Sequence, residues 1–291
     1  MAAHSRWCGV VLPSNELTPA KSKLGQNFLR DTHAVERIVV ALGNLEGKTV
    51  IEIGPGRGAI TGALAAKAGH VIAVEFDREL AEALRTRFNP KRVTVVEQDV
   101  MEFDFRAAAQ QAGDKMGVAG NLPYYITSPI LRRLASSHGA LDAAVLMVQR
   151  EVADRVTASP GSRDYGLLSV VVQMHGPAEP LFTLPPSAFS PPPQVHSTVF
   201  RWRFAPRFKE LGVEEAGFLR LVGQVFAQKR KTLANNLRAA GVAPALAHDA
   251  MAKAGIDEKA RAESLDIESL AALWRELNED LPQFQSAGSG A

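Results

Sequence analysis

The sequence predicts an α/β domain built on a mostly parallel sheet, followed by a small all-α domain. Three observations predict it. Through the middle of the 291 residues, short β-branched runs alternate with helical patterns, the signature of parallel strands joined by crossover helices. The first of these runs ends in a glycine-rich turn. After Arg203 the strand signal stops and only helical patterns remain.

Each element has its own warrant. Thr49–Ile53 is an apolar run ending at glycine, and Ala59–Ala68 follows as a helix. Val71–Glu75 is a second strand and Arg78–Phe88 a second helix. Val93–Glu97 is a third strand. Met116–Ala119 is a fourth, with Ser128–Ser136 helical after it, and Ala143–Gln149 is a fifth. Leu167–Met174 reads both ways, because its β-branched residues favour strand while its flanks allow helix. Pro185–Pro193 holds five prolines and so belongs to no helix or central strand. Ser197–Arg203 is a closing strand. Glu214–Arg238, Pro244–Ala254 and Ile267–Leu277 read as helices, and Pro244 suits a first helical position, where a missing N–H costs nothing. The expected domains are 23–203 and 204–282, with a flexible leader over 1–22 and a disordered polar tail over 283–291.

Composition narrows the class. Hydrophobic residues make up 46% of the chain, enough for a sizeable core. No run approaches the roughly 18 apolar residues of a membrane helix. The single cysteine, Cys8, excludes an internal disulfide framework and fits a reducing compartment, hence the cytoplasm. Val10-Val11-Leu12 stops at Pro13, too short for a signal peptide. The net charge of +2 conceals an asymmetry. Residues 201–238 hold nine Lys/Arg against three Asp/Glu, and residues 241–282 hold four against nine.

Three features describe an adenosine site. Glu52-Ile53-Gly54-Pro55-Gly56-Arg57-Gly58 closes the first strand, and glycines there let backbone turn sharply beside a ligand. Glu75 ends the second strand, 21 residues beyond Gly54, where an acid can accept both hydroxyls of a ribose. Asp99 follows the third strand and can accept from an adenine amino group. Each has a plainer explanation: an ordinary strand-to-helix turn, an exposed carboxylate and a helix N-cap. Together they do not separate NAD from S-adenosylmethionine. The third glycine, Gly58, comes one position early for a dinucleotide turn, and no Tyr-x-x-x-Lys pair exists, so NAD oxidoreduction ranks second.

Asn121-Leu122-Pro123-Tyr124, after the fourth strand, decides between them. Methyl transfer to an exocyclic amine needs the lone pair freed from the ring, aimed at the methyl, and held still outside the base stack. The Asn121 side-chain oxygen and the Leu122 carbonyl can each accept from the amine. Pro123 stiffens the turn, and Tyr124 offers a π-face for the flipped base.

The chain closely resembles the small-subunit ribosomal RNA adenine N6,N6-dimethyltransferase family from about Lys23 to Leu277. The motifs that carry the likeness begin with Gly25-Gln26-Asn27-Phe28-Leu29 and the glycine turn. They continue through Val74-Glu75-Phe76-Asp77, Asn121-Leu122-Pro123-Tyr124, Gln149-Arg150-Glu151-Val152 and Tyr165-Gly166. Pro185–Pro193, Arg230-Lys231-Thr232-Leu233 and Arg261-Ala262-Glu263 complete the order. The resemblance implies a Rossmann-like class I S-adenosylmethionine-dependent methyltransferase fold with a seven-stranded, mostly parallel sheet. It implies that Asn27, Leu29, Gly54, Gly56, Glu75, Asp99 and Asn121 surround the cofactor, S-adenosyl-L-methionine. It implies that Phe189 and Tyr124 sandwich the target adenine. The implied reaction is dimethylation of two adjacent adenosines in the 3′-terminal hairpin of 16S rRNA.

The implied partner is small-subunit rRNA in the immature 30S subunit, met by a cytoplasmic monomer with no metal and no membrane. Lys229, Arg230 and Lys231, in a helix of the small domain, suit phosphate contacts, as do Arg220, Arg238 and Lys23. Two other readings stand beside this one. One is the related antibiotic-resistance methyltransferase of large-subunit rRNA, which shares the Asn-x-Pro-Tyr motif; the basic helix fits the small-subunit branch better. The other is a ribosome-assembly factor whose main role is docking, against which an intact cofactor site argues.

Overall fold

A computed structural model of the chain describes residues 26–278. The expected leader and tail, with Lys23 and Gly25, lie outside the described residues. By packing, the chain divides into two compact units, one of residues up to Ala153 with Glu179–Phe204, the other of Asp154–Ala178 with the residues from Ala205 onward. The sequence reading had placed 154–178 with the sheet.

Among the described residues the first unit holds nine strands: β1 (Phe28–Leu29), β2 (Thr49–Ile53), β3 (His70–Glu75), β4 (Val93–Glu97), β5 (Met116–Asn121), β6 (Leu141–Gln149), β7 (Ala178–Leu184), β8 (Phe189–Ser190) and β9 (Ser197–Arg203). Seven form one sheet in the order β4-β3-β2-β5-β6-β9-β7. From β4 to β6 every neighbouring pair is parallel, and β9 runs antiparallel to β6. This is a Rossmann-like, mostly parallel seven-stranded architecture. β2 and β3 are buried on both faces, which is why they read as nearly unbroken apolar runs. The exception within β2 is Glu52, only 1% exposed. No helix among the described residues is long and apolar enough to cross a membrane.

The sequence reading lacked β7, β1 and β8. β7 sits at the sheet edge with Glu179 and Pro180 inside it, residues that mask a strand signal and are tolerated at an edge. β1 and β8 form a two-stranded ribbon, Phe28 opposite Ser190 and Leu29 opposite Phe189. It lies partly within the proline-rich segment, where pairing two residues long leaves no periodicity to read.

The second unit is helical around Phe218, Leu221, Val222, Leu233, Leu237, Leu270 and Leu277. Leu167–Met174 is a helix, with Val170 and Met174 one turn apart in that core. The expected single helix Glu214–Arg238 is two helices, Glu215–Val225 and Leu233–Ala239. Lys229, Arg230 and Lys231 therefore do not sit in a helix; they are exposed in the turn between the two. The second helix needs its own start there: the Thr232 hydroxyl accepts from the Asn235 N–H, and the Leu233 N–H is drawn to the Ala260 carbonyl at 2.8 Å.

Strand spacing beneath the site is tight. A Cβ on Gly120 of β5 would lie 2.7 Å from the Ile53 carbonyl oxygen of β2. Gly120→Ala is predicted to cost about 1–3 kcal/mol by overpacking. Chemical denaturation checks this; unchanged stability would show that the two strands can part freely.

Candidate active site

In an open parallel sheet, ligands lie beyond the carboxyl ends of the strands where the chain order reverses. Here the reversal falls between β2 and β5. A cleft of about 620 Å³ opens there, lined by residues following β2, β3, β4 and β5 together with residues 26–30. It brings together Asn27, Leu29, Gly54, Gly56, Glu75, Asp99, Asn121, Leu122, Pro123 and Tyr124.

The floor is the glycine turn. Gly54 and Gly56 have φ of +64° and +56°, a region that side chains rarely adopt. A Cβ on Gly56 would also lie 3.0 Å from the Phe28 ring. The Arg57 guanidinium stands 4.5 Å from the centroid of that ring. The segment around Phe28 thus packs down on the turn, and the β1–β8 ribbon and the bond from Arg30 N–H to the Ala188 carbonyl (2.9 Å) hold it there.

Three carboxylates surround this floor. Glu75 is 4% exposed; one oxygen accepts from the Gly56 N–H (2.9 Å) and the other from the Asp77 N–H (3.0 Å). Burial raises its carboxyl above the ordinary range, an effect those backbone bonds offset in part. Asp99 accepts from the Met101 N–H through Oδ1 (2.8 Å), which pins it at the cleft wall. The third carboxylate, Glu52, was quoted in the glycine motif without a role. Its Oε2 is buried and has no hydrogen-bond partner. Thr61 lies beside it, and its hydroxyl and backbone N–H are the groups that lower it. Burial pushes Glu52 from 4.5 up to about 8, Thr61 offsets this in part, and the Glu75 carboxylate adds to it. An acid in the middle of the apolar run Thr49–Ile53 was the signal for it.

The turn after β5 is fixed at both ends. Leu122 is buried and its N–H bonds the Met147 carbonyl at 3.0 Å. The Pro123 carbonyl accepts from the Thr127 hydroxyl (2.9 Å) and the Ile126 N–H (3.2 Å). The Tyr124 hydroxyl is joined to the Ser197 hydroxyl at 2.9 Å, so its ring is what faces the cleft. Asn121 Nδ2 donates to the Asn27 carbonyl at 2.8 Å. A carbonyl only accepts, so this contact settles which end of the amide is nitrogen. Oδ1 is left as an acceptor at the cleft.

Phe189 is not among the cleft-lining residues. It is 4% exposed and packs in the core with Leu29, Ala188 and Val199. Its partner in the ribbon, Ser190, lines the cleft instead. In the other unit, Lys229, Arg230, Lys231 and Arg238 are exposed, while Arg220 is half-buried on the helix Glu215–Val225. Lys23 lies outside the described residues.

Glu75 and Asp99, carboxylate acceptors after β3 and β4 on one cleft, suit the ribose hydroxyls and adenine amine of S-adenosyl-L-methionine. Comparison with known proteins agrees. Residues 18–279 match the ribosomal RNA adenine dimethylase family. The chain is 57% identical over 260 residues to ribosomal RNA small subunit methyltransferase A of Acidobacterium capsulatum, covering 89% of this chain and 92% of that one. It is 48% identical to the protein of the same name in Koribacter versatilis, covering 90% and 96%. The fold is similar to a dimethyladenosine transferase from Plasmodium falciparum (TM-score 0.74, 23% identity, 87% and 98% covered). It is similar also to the 23S rRNA methyltransferase ErmE (TM-score 0.66, 25% identity, 87% and 100% covered).

The Glu52 carboxyl makes a testable contribution to stability. Unfolded, it loses its proton near 4.5; folded, it keeps the proton to about 8. The folded state therefore binds more protons across that window, and its stability falls as pH rises through it. Glu75 acts in the same direction. Without cofactor, Glu52→Gln should gain stability relative to the wild type as pH rises from 4.5 to about 8. Melting temperatures of both proteins across that range test this; a constant difference would contradict it.

Proposed function

The chain belongs to the ribosomal RNA adenine dimethylase family, and from that membership we propose that it dimethylates N6 of two adjacent adenosines in the 3′-terminal hairpin of small-subunit (16S) rRNA during ribosome biogenesis. It uses S-adenosyl-L-methionine. The observation that carries the reading of the site is the Asn121-Leu122-Pro123-Tyr124 turn, with the Asn121 amide nitrogen already engaged by the Asn27 carbonyl. The small-subunit substrate draws support from the names of the relatives at 57% and 48% identity.

The cofactor, when bound, supplies an electrophilic methyl group on a sulfonium. Asn27, Leu29, Gly54, Gly56, Glu75, Asp99 and Asn121 hold it, Glu75 accepting ribose hydroxyls and Asp99 the adenine amine. Asn121 Oδ1 and the Leu122 carbonyl each accept one N–H of the target amine. Two acceptors draw that nitrogen towards tetrahedral geometry and free its lone pair for attack. Tyr124 stacks on the target ring; with its hydroxyl held by Ser197, the ring keeps a fixed plane. No strong base is needed, because the amine becomes acidic only as the new N–C bond forms. After one transfer and loss of a proton the nitrogen still carries one hydrogen and a lone pair, so one of the two acceptors can hold it while the lone pair is presented again, and the product is dimethyl. Phe189, in the ribbon beside Ser190, is the second aromatic of the proposed sandwich around the target adenine; it is buried among Leu29, Ala188 and Val199.

Lys229, Arg230 and Lys231 contact RNA phosphates from their exposed turn, with Arg238 and Arg220 nearby in sequence. Lys23 adds to the basic residues flanking the N-terminal motif. The substrate is the immature 30S subunit, met by a monomer in the cytoplasm. ErmE, which shares the fold at 25% identity, raises large-subunit rRNA as the alternative substrate. Incubation with labelled cofactor and either immature small subunits or large-subunit rRNA separates the two; label in large-subunit rRNA alone would overturn the proposal.

Two further outcomes are expected. Asn121→Ala should cut single-turnover methyl transfer on immature small subunits by roughly 10²–10⁴ while cofactor and RNA still bind. Wild-type rate in that variant, or a wild type that stops at one methyl per adenine, would refute the account of the turn. Changing Lys229, Arg230 and Lys231 together to Ala should flatten the salt dependence of RNA binding, since each lost phosphate contact reduces counterion release. A salt slope equal to the wild type would remove this turn from the RNA surface.

A further inference from the structure

Large apolar side chains stand exposed at four described positions: Val40, Phe76, Tyr125 and Val195. The two aromatic ones, Phe76 and Tyr125, both line the cleft. An exposed aromatic ring at a cleft mouth, where burying it would be favourable, marks a surface that a ligand covers.

Tyr125 is 62% exposed, directly after Tyr124 in the single 3₁₀ turn Tyr124–Ile126. Successive residues of a 3₁₀ turn point about 120° apart, since three residues complete a turn. The two rings therefore serve different parts of the cleft. Tyr124 is committed through its hydroxyl to Ser197 on β9. Tyr125 is directed elsewhere, near enough to the Asp99 carboxylate for that charge to bear on its phenol. Asp99 stands after β4, and Gln98 beside it bonds the Glu75 carbonyl at 3.0 Å. Phe76 follows Glu75 directly. The two exposed rings thus accompany the two carboxylates, one from the end of β3 and one from the catalytic turn.

We propose that Tyr125 stacks on the adenine of the bound cofactor and so retains it. The inference rests on the reading of Glu75 and Asp99 as the adenosine site. Its consequence is that one short turn carries two aromatic contacts with separate ligands: Tyr124 with the target base, Tyr125 with the cofactor. Filling the cofactor site steadies the turn that receives the RNA base, and by linkage each ligand then tightens the other.

Calorimetric titration with S-adenosylhomocysteine, in parallel with RNA binding by the cofactor-free protein, tests the proposal without depending on catalysis. Tyr125→Ala should weaken S-adenosylhomocysteine binding between about 5-fold and about 100-fold, the range that loss of one base–aromatic stack corresponds to. Tyr125→Phe keeps the ring and should stay within about 3-fold of the wild type. RNA binding without cofactor should be the same in all three proteins. Unchanged S-adenosylhomocysteine affinity in Tyr125→Ala, or a loss confined to RNA binding, would overturn the assignment and give the ring to the RNA instead. A wild type that binds no S-adenosylhomocysteine at all would overturn the adenosine site itself and Tyr125 with it. Because the side chain is exposed, both variants should melt with the wild type.

Discussion

The chemistry proposed for this site depends on one contact, the hydrogen bond from Asn121 Nδ2 to the Asn27 carbonyl. An amide offers two donors at one end and an acceptor at the other, and a target amine needs the acceptor. Without a fixed partner the Asn121 side chain could rotate and present N–H groups to another amine, which repels. Asn27 removes that freedom, but only while the backbone at residue 27 stays in place. That placement depends on the ribbon between Phe28–Leu29 and Phe189–Ser190, and on Phe28 lying against the glycine turn. The bond joins residues 94 apart in sequence and commits three elements to one geometry.

The same arrangement explains why buried carboxylates are tolerated. Burial raises both Glu52 and Glu75, and the Glu75 carboxylate raises Glu52 further. An isolated pair of this kind costs stability. A cationic ligand reverses the sign of that cost, because it favours the charged form of each group. The Gly56 N–H on Glu75 then does two things: it shapes the turn and keeps the carboxylate aimed into the cleft.

Much of this was legible in the sequence, for definite reasons. Parallel strands buried on both faces leave unbroken apolar runs, so β2 to β5 could be read nearly to their ends. Glu75, Asp99 and Asn121 stand at the carboxyl ends of those runs, where topology alone places ligands. The edge strand Ala178–Leu184 was hidden by Glu179 and Pro180, and a two-residue ribbon has no period. The break between Val225 and Leu233 was missed because helix capping by Thr232 and the pull of the Ala260 carbonyl are tertiary choices that residue propensity does not encode. Phe189 shows what a local motif leaves unread: its burial depends on packing with Leu29 and Val199, residues distant in sequence. Asn27 illustrates the same limit from the other side, since the atom that matters is its backbone carbonyl and any residue would supply one.

The most direct measurement of the central claim is single-turnover methyl transfer by Asn121→Asp on immature small subunits, with cofactor binding confirmed beforehand. Asp keeps an acceptor for the target amine, and a charged one, but loses the donor to the Asn27 carbonyl and sets two oxygens against each other there. If orientation by Asn27 is what makes Asn121 work, the rate should fall by roughly 10²-fold or more, into the range of the Ala variant. A rate at or above wild type would show that any acceptor suffices, and that the Asn27 contact plays no part in catalysis.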